Sequence, residues 1–278
     1  MDKNIFEKTV TEYIENSPLN YLEQERAKRP ELTGMRFFDE PLFGYAASDD
    51  DLFIEFKKPG INGPDCMSPE EWLSGAKSVL SLFFPFTLLV RTANRQNMDW
   101  PSDEWLHARI EGQIFLDSVC RFIEDFLKKE GFSALAPIIN SRMRWGNSSI
   151  TDKTDQRYYT SNWSERHAAY AAGLGTFGLS KGLITRKGVA GRLLSVITNA
   201  YFEPDNRPYT GVYDYCCTCG ACVRNCPAGA ITKENGKMHY PCSRFLDLTR
   251  AKHAPRYGCG KCQVKVPCED RVPIIVEG

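Results

Sequence analysis

CCTCGACVRNCPAGAI, Cys216 to Ile231, is the stretch on which the rest of this chain turns. Cys216, Cys219, Cys222 and Cys226 follow C-x2-C-x2-C-x3-C, and Pro227 comes next. Three thiolates from one short loop cover three corners of a [4Fe–4S] cubane, and in this run the fourth cysteine reaches a second cluster. A zinc ribbon wants two C-x2-C pairs a dozen or more residues apart. Soft, closely spaced ligands therefore point to iron–sulfur chemistry. The remaining ligands must come from Cys242, Cys259, Cys262 and Cys268. Exchanged ligation assigns Cys216, Cys219, Cys222 and Cys268 to one cluster, and Cys226, Cys242, Cys259 and Cys262 to the other. Two details depart from the pattern. Cys268 lies two positions late, after a proline, and Cys217 is close enough to compete with Cys216. Cys216 is preferred because it keeps the x2 spacing to Cys219.

The chain has 11 cysteines in 278 residues, and only Cys66 and Cys120 lie outside the segment from Cys216 to Cys268. Both are expected to be structural. The N-terminus, MDKNIFEKTVTEYIENS, has no apolar core of a signal peptide, so a clustered cysteine set reads as metal-binding and the protein as cytoplasmic. The longest apolar run, VLSLFFPFTLLV from Val79 to Val90, is interrupted by proline and falls short of the ~20 residues that span a bilayer. Lys plus Arg (35) balance Asp plus Glu (35), which argues against a dedicated nucleic-acid binder. Apolar content of 42% with 12% aromatics supplies a packed core.

Ile5, Phe6, Thr9, Val10, Tyr13 and Ile14 recur at helical spacing and predict an opening amphipathic helix. Residues 17 to 75 read as loops, and SVLSLFFPFTLL as a buried strand or strand pair. Trp105 to Leu127 carries the apolar spacing of a long helix, stopped at Gly131. FSALAPII reads as a strand. NWSERHAAYAAG predicts a second helix, with Asn162 as N-cap, Glu165 completing a near capping box, and Gly173 as its left-handed end. Leu183–Thr185 and Leu193–Thr198 predict a hairpin closed by Arg186 to Gly191. A Pro- and Asn-rich linker follows, placing a domain boundary near residue 203.

AGLGTFGLSKG, Ala172 to Gly182, contains a literal G-x-G-x-x-G at Gly173, Gly175 and Gly178. A dinucleotide site needs a strand before these glycines, a helix after them, and an acidic residue about 20 positions on. Here a helix precedes, a hairpin follows, and Thr198 and Asn199 stand at that distance. The dinucleotide reading fails on context, which leaves a helix end followed by a tight turn.

ERHAAYAAGLGTFGLSKGLIT, then CCTCGACVRNCPAGAI, then YGCGKCQ together resemble the epoxyqueuosine reductases and their relatives, the reductive dehalogenases. The resemblance covers about residues 155 to 270. It implies an α+β fold: a nitroreductase-like α/β domain over residues 1–203, then a ferredoxin-like double-cluster domain over 204–278. It also implies a corrinoid (cobalamin) between the domains, with no protein histidine on cobalt, and makes the loop of Gly173, Leu174, Gly175 and Gly178 a candidate corrinoid-facing surface. The family's proton-donating aspartate falls, by ungapped counting, on Tyr159, with Tyr158 beside it. A tyrosine of ordinary pKa about 10 is a weaker acid, and a packing role is an equal alternative. The family's lysine motif after the glycines is altered to Leu179, Ser180 and Lys181. The chain stops ten residues after Cys268, without the helical-repeat domain that contacts tRNA in that family, so tRNA is not the expected substrate.

The leading expectation is an iron–sulfur reductase that passes single electrons through two [4Fe–4S] clusters to cobalamin, fed by a ferredoxin or flavodoxin. The alternative is an electron carrier for a partner's corrinoid or flavin, with no substrate of its own. A flavin or nicotinamide enzyme ranks third.

Overall fold

A computed structural model describes residues 1–151 and 157–274, with the backbone alone at 147–151 and 157–159. In chain order it contains α1 (Lys3–Asn16), β1 (Leu42–Ala47), α2 (Leu52–Glu55), α3 (Pro69–Trp72), β2 (Ser78–Pro85), α4 (Leu88–Gln96) and α5 (Asp103–Lys129). There follow β3 (Ala134–Leu135), β4 (Trp145–Thr151), β5 (Arg157–Ser161), α6 (Glu165–Ala171), β6 (Gly175–Phe177), β7 (Leu183–Thr185) and β8 (Gly191–Thr198). The cysteine-rich end carries α7 (Ala221–Arg224), β9 (Ile231–Thr232), β10 (Gly236–Lys237) and α8 (His239–His253).

The principal sheet runs β1-β2-β8-β3, antiparallel throughout, with Leu80 opposite both Tyr45 and Val196. Every residue of β2 is buried, because both faces of this central strand are covered. Leu80, Leu82 and Phe84 enter a core with Phe115, Val119 and Ile123 of α5. Val79 and Phe83 point the other way, into a second core with Ala168, Ala169 and Ala171 of α6. The two-residue side-chain period thus feeds two cores from one continuous apolar run.

The apolar run divides where the sheet ends: β2 stops at Pro85, and Thr87, accepting from the Val90 amide, caps α4. Residues 17–75, expected to be loops, include β1, which pairs along its whole length with β2, and the short helices α2 and α3. FSALAPII yields only the two-residue β3 and a 3-10 turn at Pro137–Ile139. The expected hairpin does not form. After the tight turn in which the Thr185 amide donates to the Gly188 carbonyl, β7 pairs with β6, while β8 enters the main sheet between β2 and β3. The eight-residue ladder with β2 satisfies far more backbone than three residues of β7 offer.

The cysteine-rich end is locked to the helices by buried charge. Glu269 accepts from Arg91 (3.2 Å) and Arg95 (3.0 Å) of α4. Arg256 donates to Glu111 of α5, which also meets His107 at 3.1 Å. Lys261 Nζ donates to the carbonyl and side-chain oxygens of Asn94, each at 2.7 Å. Among the described residues, no helix is long and apolar enough to cross a membrane.

Candidate functional site

Two cavities gather the clustered cysteines, and they sort them in the crossed pattern. Cys226, Cys242, Cys259 and Cys262 line a cavity of about 440 Å³. Cys216, Cys217, Cys219, Cys222 and Cys268 line a second, tighter one. Cys222 and Cys226 are four residues apart in sequence, yet α7 ends between them and they face different cavities. Cys242 is carried by α8, and Cys259 and Cys262 by the loop after it. Cys216, Cys222 and Cys268 pack together against Ile184, Val189, Ala221 and Val266, a cluster that Cys217 does not join.

Burial pushes the thiols of Cys259 and Cys268 up to about 12 and that of Cys222 to about 11, and neighbouring thiols add to the effect. Such thiols ionise readily only when a bound cation supplies compensating charge. A mononuclear zinc site needs its sulfurs about 2.3 Å from one atom. Among the described residues, no three Cys, His, Asp or Glu side chains converge on a single ion. The clustered cysteines border the two cavities. The Ala230 amide donates to Cys226 Sγ at 3.3 Å.

The large cavity has a second wall of different character. Trp105, Trp163 and Phe86 give it apolar surface, and Arg109, Arg166, Arg192 and Glu165 give it charge. Its size is that of a site for an organic cofactor or substrate. Burial, joined by repulsion from Arg109 and Arg166, draws Arg192 down to about 10. Burial also lowers Arg166, which faces Cys262 and Cys242. Arg192 donates to Gln113, and Arg109 stacks on Tyr257 at 4.0 Å. Among the described residues, Arg109, Arg166 and Arg192 form no ion pair with a carboxylate. Glu165 Oε2 accepts from Ser195 Oγ at 2.6 Å, and Ser195 Oγ in turn accepts from Trp163 Nε1 at 2.8 Å. Glu165 Oε1 is buried and, among the described residues, has no hydrogen-bond partner. Burial raises this carboxyl to about 8, against the opposing pull of Ser195 and Arg192.

The glycine loop lies elsewhere. Gly173 ends α6 at φ +77°, as expected, with its amide on the Tyr170 carbonyl. A Cβ on Gly173 would sit 3.0 Å from the Asn206 carbonyl, and one on Gly175 only 1.9 Å from that of Ile184. Leu174 is buried in the second core. Gly178 borders the tighter cavity, where a Cβ would come within 3.7 Å of Cys216 Sγ. None of the four is among the residues that line the large cavity. Asn162 does not cap α6. Its side chain instead accepts from the Arg144 amide and donates to the Arg142 carbonyl, and Ser164 is the N-cap, its hydroxyl bonded to His167 Nδ1 and not to a helix amide. Glu165, expected in a capping box, points its carboxyl to Ser195. The backbone of Tyr159 lies in β5, opposite Asn147; its side chain falls outside the described residues. Cys66 and Cys120 are buried in the two cores. His107, His167, His239 and His253 are absent from the large cavity's lining. His167 packs between Phe56 and Phe177, and burial lowers it to about 4.

The charged wall went unseen in sequence. Arg109 and Arg192 look like solvated residues beside apolar ones, and nothing local says that α5 and β8 bring them to one enclosed space. An arginine opening an otherwise apolar strand, as in GRLLSVIT, was the available signal.

The fold is mixed helix and sheet, of a kind shared with solved oxidoreductases. One structure of epoxyqueuosine reductase superposes with a TM-score of 0.51 at 20% identity, covering 96% of this chain and 66% of that one. The catabolic reductive dehalogenase NpRdhA gives a TM-score of 0.52 at 14% identity, covering 84% of this chain and 30% of that one. In sequence, the similar proteins are epoxyqueuosine reductases. That of Listeria monocytogenes is 36% identical over 119 residues, 39% of this chain and 30% of the relative. That of Bacillus subtilis is 32% identical over 126 residues, 41% of this chain and 31% of the relative. The match thus spans about three tenths of those relatives' length. No protein-family model matches the chain. The resemblance read from the motifs stands in both comparisons.

Proposed function

We propose that the protein is an iron–sulfur reductase, in which two [4Fe–4S] clusters deliver single electrons to a corrinoid held in the large cavity. The observation that carries this reading is the division of the cysteines. Four border the large cavity, whose other wall is aromatic and cationic, and the remainder border a separate space with Cys219 exposed at the surface. In this reading Cys216, Cys219, Cys222 and Cys268 hold the outer cluster, and Cys226, Cys242, Cys259 and Cys262 the inner one. Electrons from a ferredoxin or flavodoxin enter at the outer cluster. The arrangement is a nitroreductase-like unit over residues 1–203 and a ferredoxin-like unit over 204–278, working in the reducing cytoplasm.

A bound corrinoid would supply reducing chemistry at its metal. The chain's own residues provide the surroundings. Trp105, Trp163 and Phe86 exclude water and offer flat apolar contact. Arg109 and Arg192 accommodate negative charge. Tyr159 is retained as a candidate proton donor. The reading is tested by an anaerobic absorption spectrum of the reconstituted protein with and without cobalamin. Saturable spectral change together with about eight irons per chain is expected. Eight irons with no corrinoid binding would leave the electron-carrier alternative.

A further inference from the structure

The carboxyl of Glu165 has an arrangement that packing does not explain. Ser195 Oγ accepts from the Trp163 indole, and its own proton goes to Glu165 Oε2. The carboxyl is thereby held in one orientation by a two-bond relay anchored in the second core. That leaves Oε1 buried and without a partner on a residue that lines the large cavity. An ionised carboxylate there would leave Oε1 without a hydrogen bond among the described residues, since Arg192 donates to Gln113 and acts on the carboxyl only through space. A neutral acid with its proton on Oε1 removes the conflict, because Oε2 already serves as acceptor.

We propose that Glu165 is the acid of this cavity: its Oε1 carries a proton that is donated to a negatively charged atom of the ligand bound there. In that step the Oε1–H bond breaks with both electrons remaining on the carboxylate, the ligand atom gains the proton, and no electron changes hands. The new carboxylate is received by the Ser195 hydroxyl and the nearby positive charge of Arg192. Arg109, Arg166 and Arg192 favour a ligand with negative charge, since among the described residues no carboxylate pairs with them. At physiological pH the neutral form is the balance between burial and the groups that face Glu165. Arg192 from β8 opposes it, Cys120 from α5 is an un-ionised thiol, and on α6 itself Arg166 turns to Cys242 and Cys262 while His167 is neutral. Burial outweighs the opposing pull of Ser195, Arg192 and the Trp163 indole and raises the carboxyl to about 8.

This deepens the proposed function by naming a proton source for the same cavity, but its test does not need cobalamin. Infrared spectra of the intact, cluster-loaded protein should show a carboxylic-acid carbonyl band that shifts in D2O. Acid should exceed carboxylate about tenfold at pH 7 and reach parity near pH 8. Glu165→Gln should lack that band. Independently, a hydrophobic carbodiimide, which reacts with protonated carboxyls, should label Glu165 of the wild type at pH 6 and about tenfold less at pH 9, read by peptide mass spectrometry. No band titrating in this window, a band that survives Glu165→Gln, or a Glu165 spared by the reagent at pH 6 would each overturn the proposal. Failure of cobalamin to bind would instead count against the proposed function and leave this result standing.

Discussion

Gly260 stands between Cys259 and Lys261, with φ +70°, and Trp105 lies directly over it. A Cβ at Gly260 would sit 2.0 Å from Trp105 Cζ2 and 2.1 Å from Cε2. The indole cannot yield. It is buried at the start of α5, its amide bonds to the Ser102 cap, and its ring is packed on Phe86 at 4.5 Å. Gly260→Ala must therefore displace the loop carrying Cys259 and Cys262. A left-handed backbone costs a non-glycine residue about 1–2 kcal/mol, and overpacking a close contact a further 1–3 kcal/mol. The sum, about 2–5 kcal/mol, corresponds to a fall in melting temperature of roughly ten degrees in a chain of this size. The chemical consequence is more specific. Cys259 and Cys262 line the large cavity, whereas the other cysteine set has no contact with Trp105. Anaerobic reconstitution should therefore give about four irons per chain instead of about eight, with the remaining cluster intact. Iron and sulfide analysis with scanning calorimetry reads both effects. A variant with its full iron content and a melting point within about two degrees of the wild type would refute the argument.

Cys222→Ser and Cys226→Ser should each retain about four irons, and the double variant none, because the two cysteines face different cavities; a double variant that keeps four would place them on one cluster. Glu269→Ala leaves Arg91 and Arg95 without their shared buried carboxylate and should cost about 3–5 kcal/mol in denaturant unfolding; a loss below about 1 kcal/mol would show the network to be incidental. The carboxyls predict opposite pH limbs. Burial pushes Glu111 up, but hydrogen bonds and charge from His107 and Arg256 outweigh it and bring the group below its ordinary value. Its stabilisation is present above about pH 4.5 and is lost as pH falls through the folded value, so Glu111→Gln should flatten the acid limb. Glu165 is raised to about 8, so the folded state holds the extra proton and stability declines as pH climbs from about 4.5 to 8; Glu165→Gln should remove that decline in equilibrium unfolding.

The amino-acid sequence by itself determined which residues belong to local, periodic or spaced patterns. The spacing of Phe6, Val10 and Ile14 marks one face of α1, and the glycine at 173 marks the end of α6. The cysteine spacing and the motif blocks were legible because ligand spacing is a property of a short loop. Spacing also suggested a crossed grouping of the cysteines; Cys226, Cys242, Cys259 and Cys262 line one cavity, and Cys216, Cys217, Cys219, Cys222 and Cys268 the other.

Tertiary structure alone decided the rest. β8 carries a hairpin-like sequence, yet its partner is β2, more than a hundred residues earlier, because that ladder offers eight pairings. The glycine loop looked like a ligand cradle, but the atoms that crowd it belong to Ile184 and Asn206 of this chain. Asn162 has the composition of a cap, but the loop at Arg142 and Arg144 competes for its amide. Above all, Glu165, Ser195, Trp163 and Arg192 become one site only when α6 packs across β8. Burial, and with it the protonation of a carboxyl, depends on what surrounds a side chain in space, and no local pattern of residues encodes that surrounding.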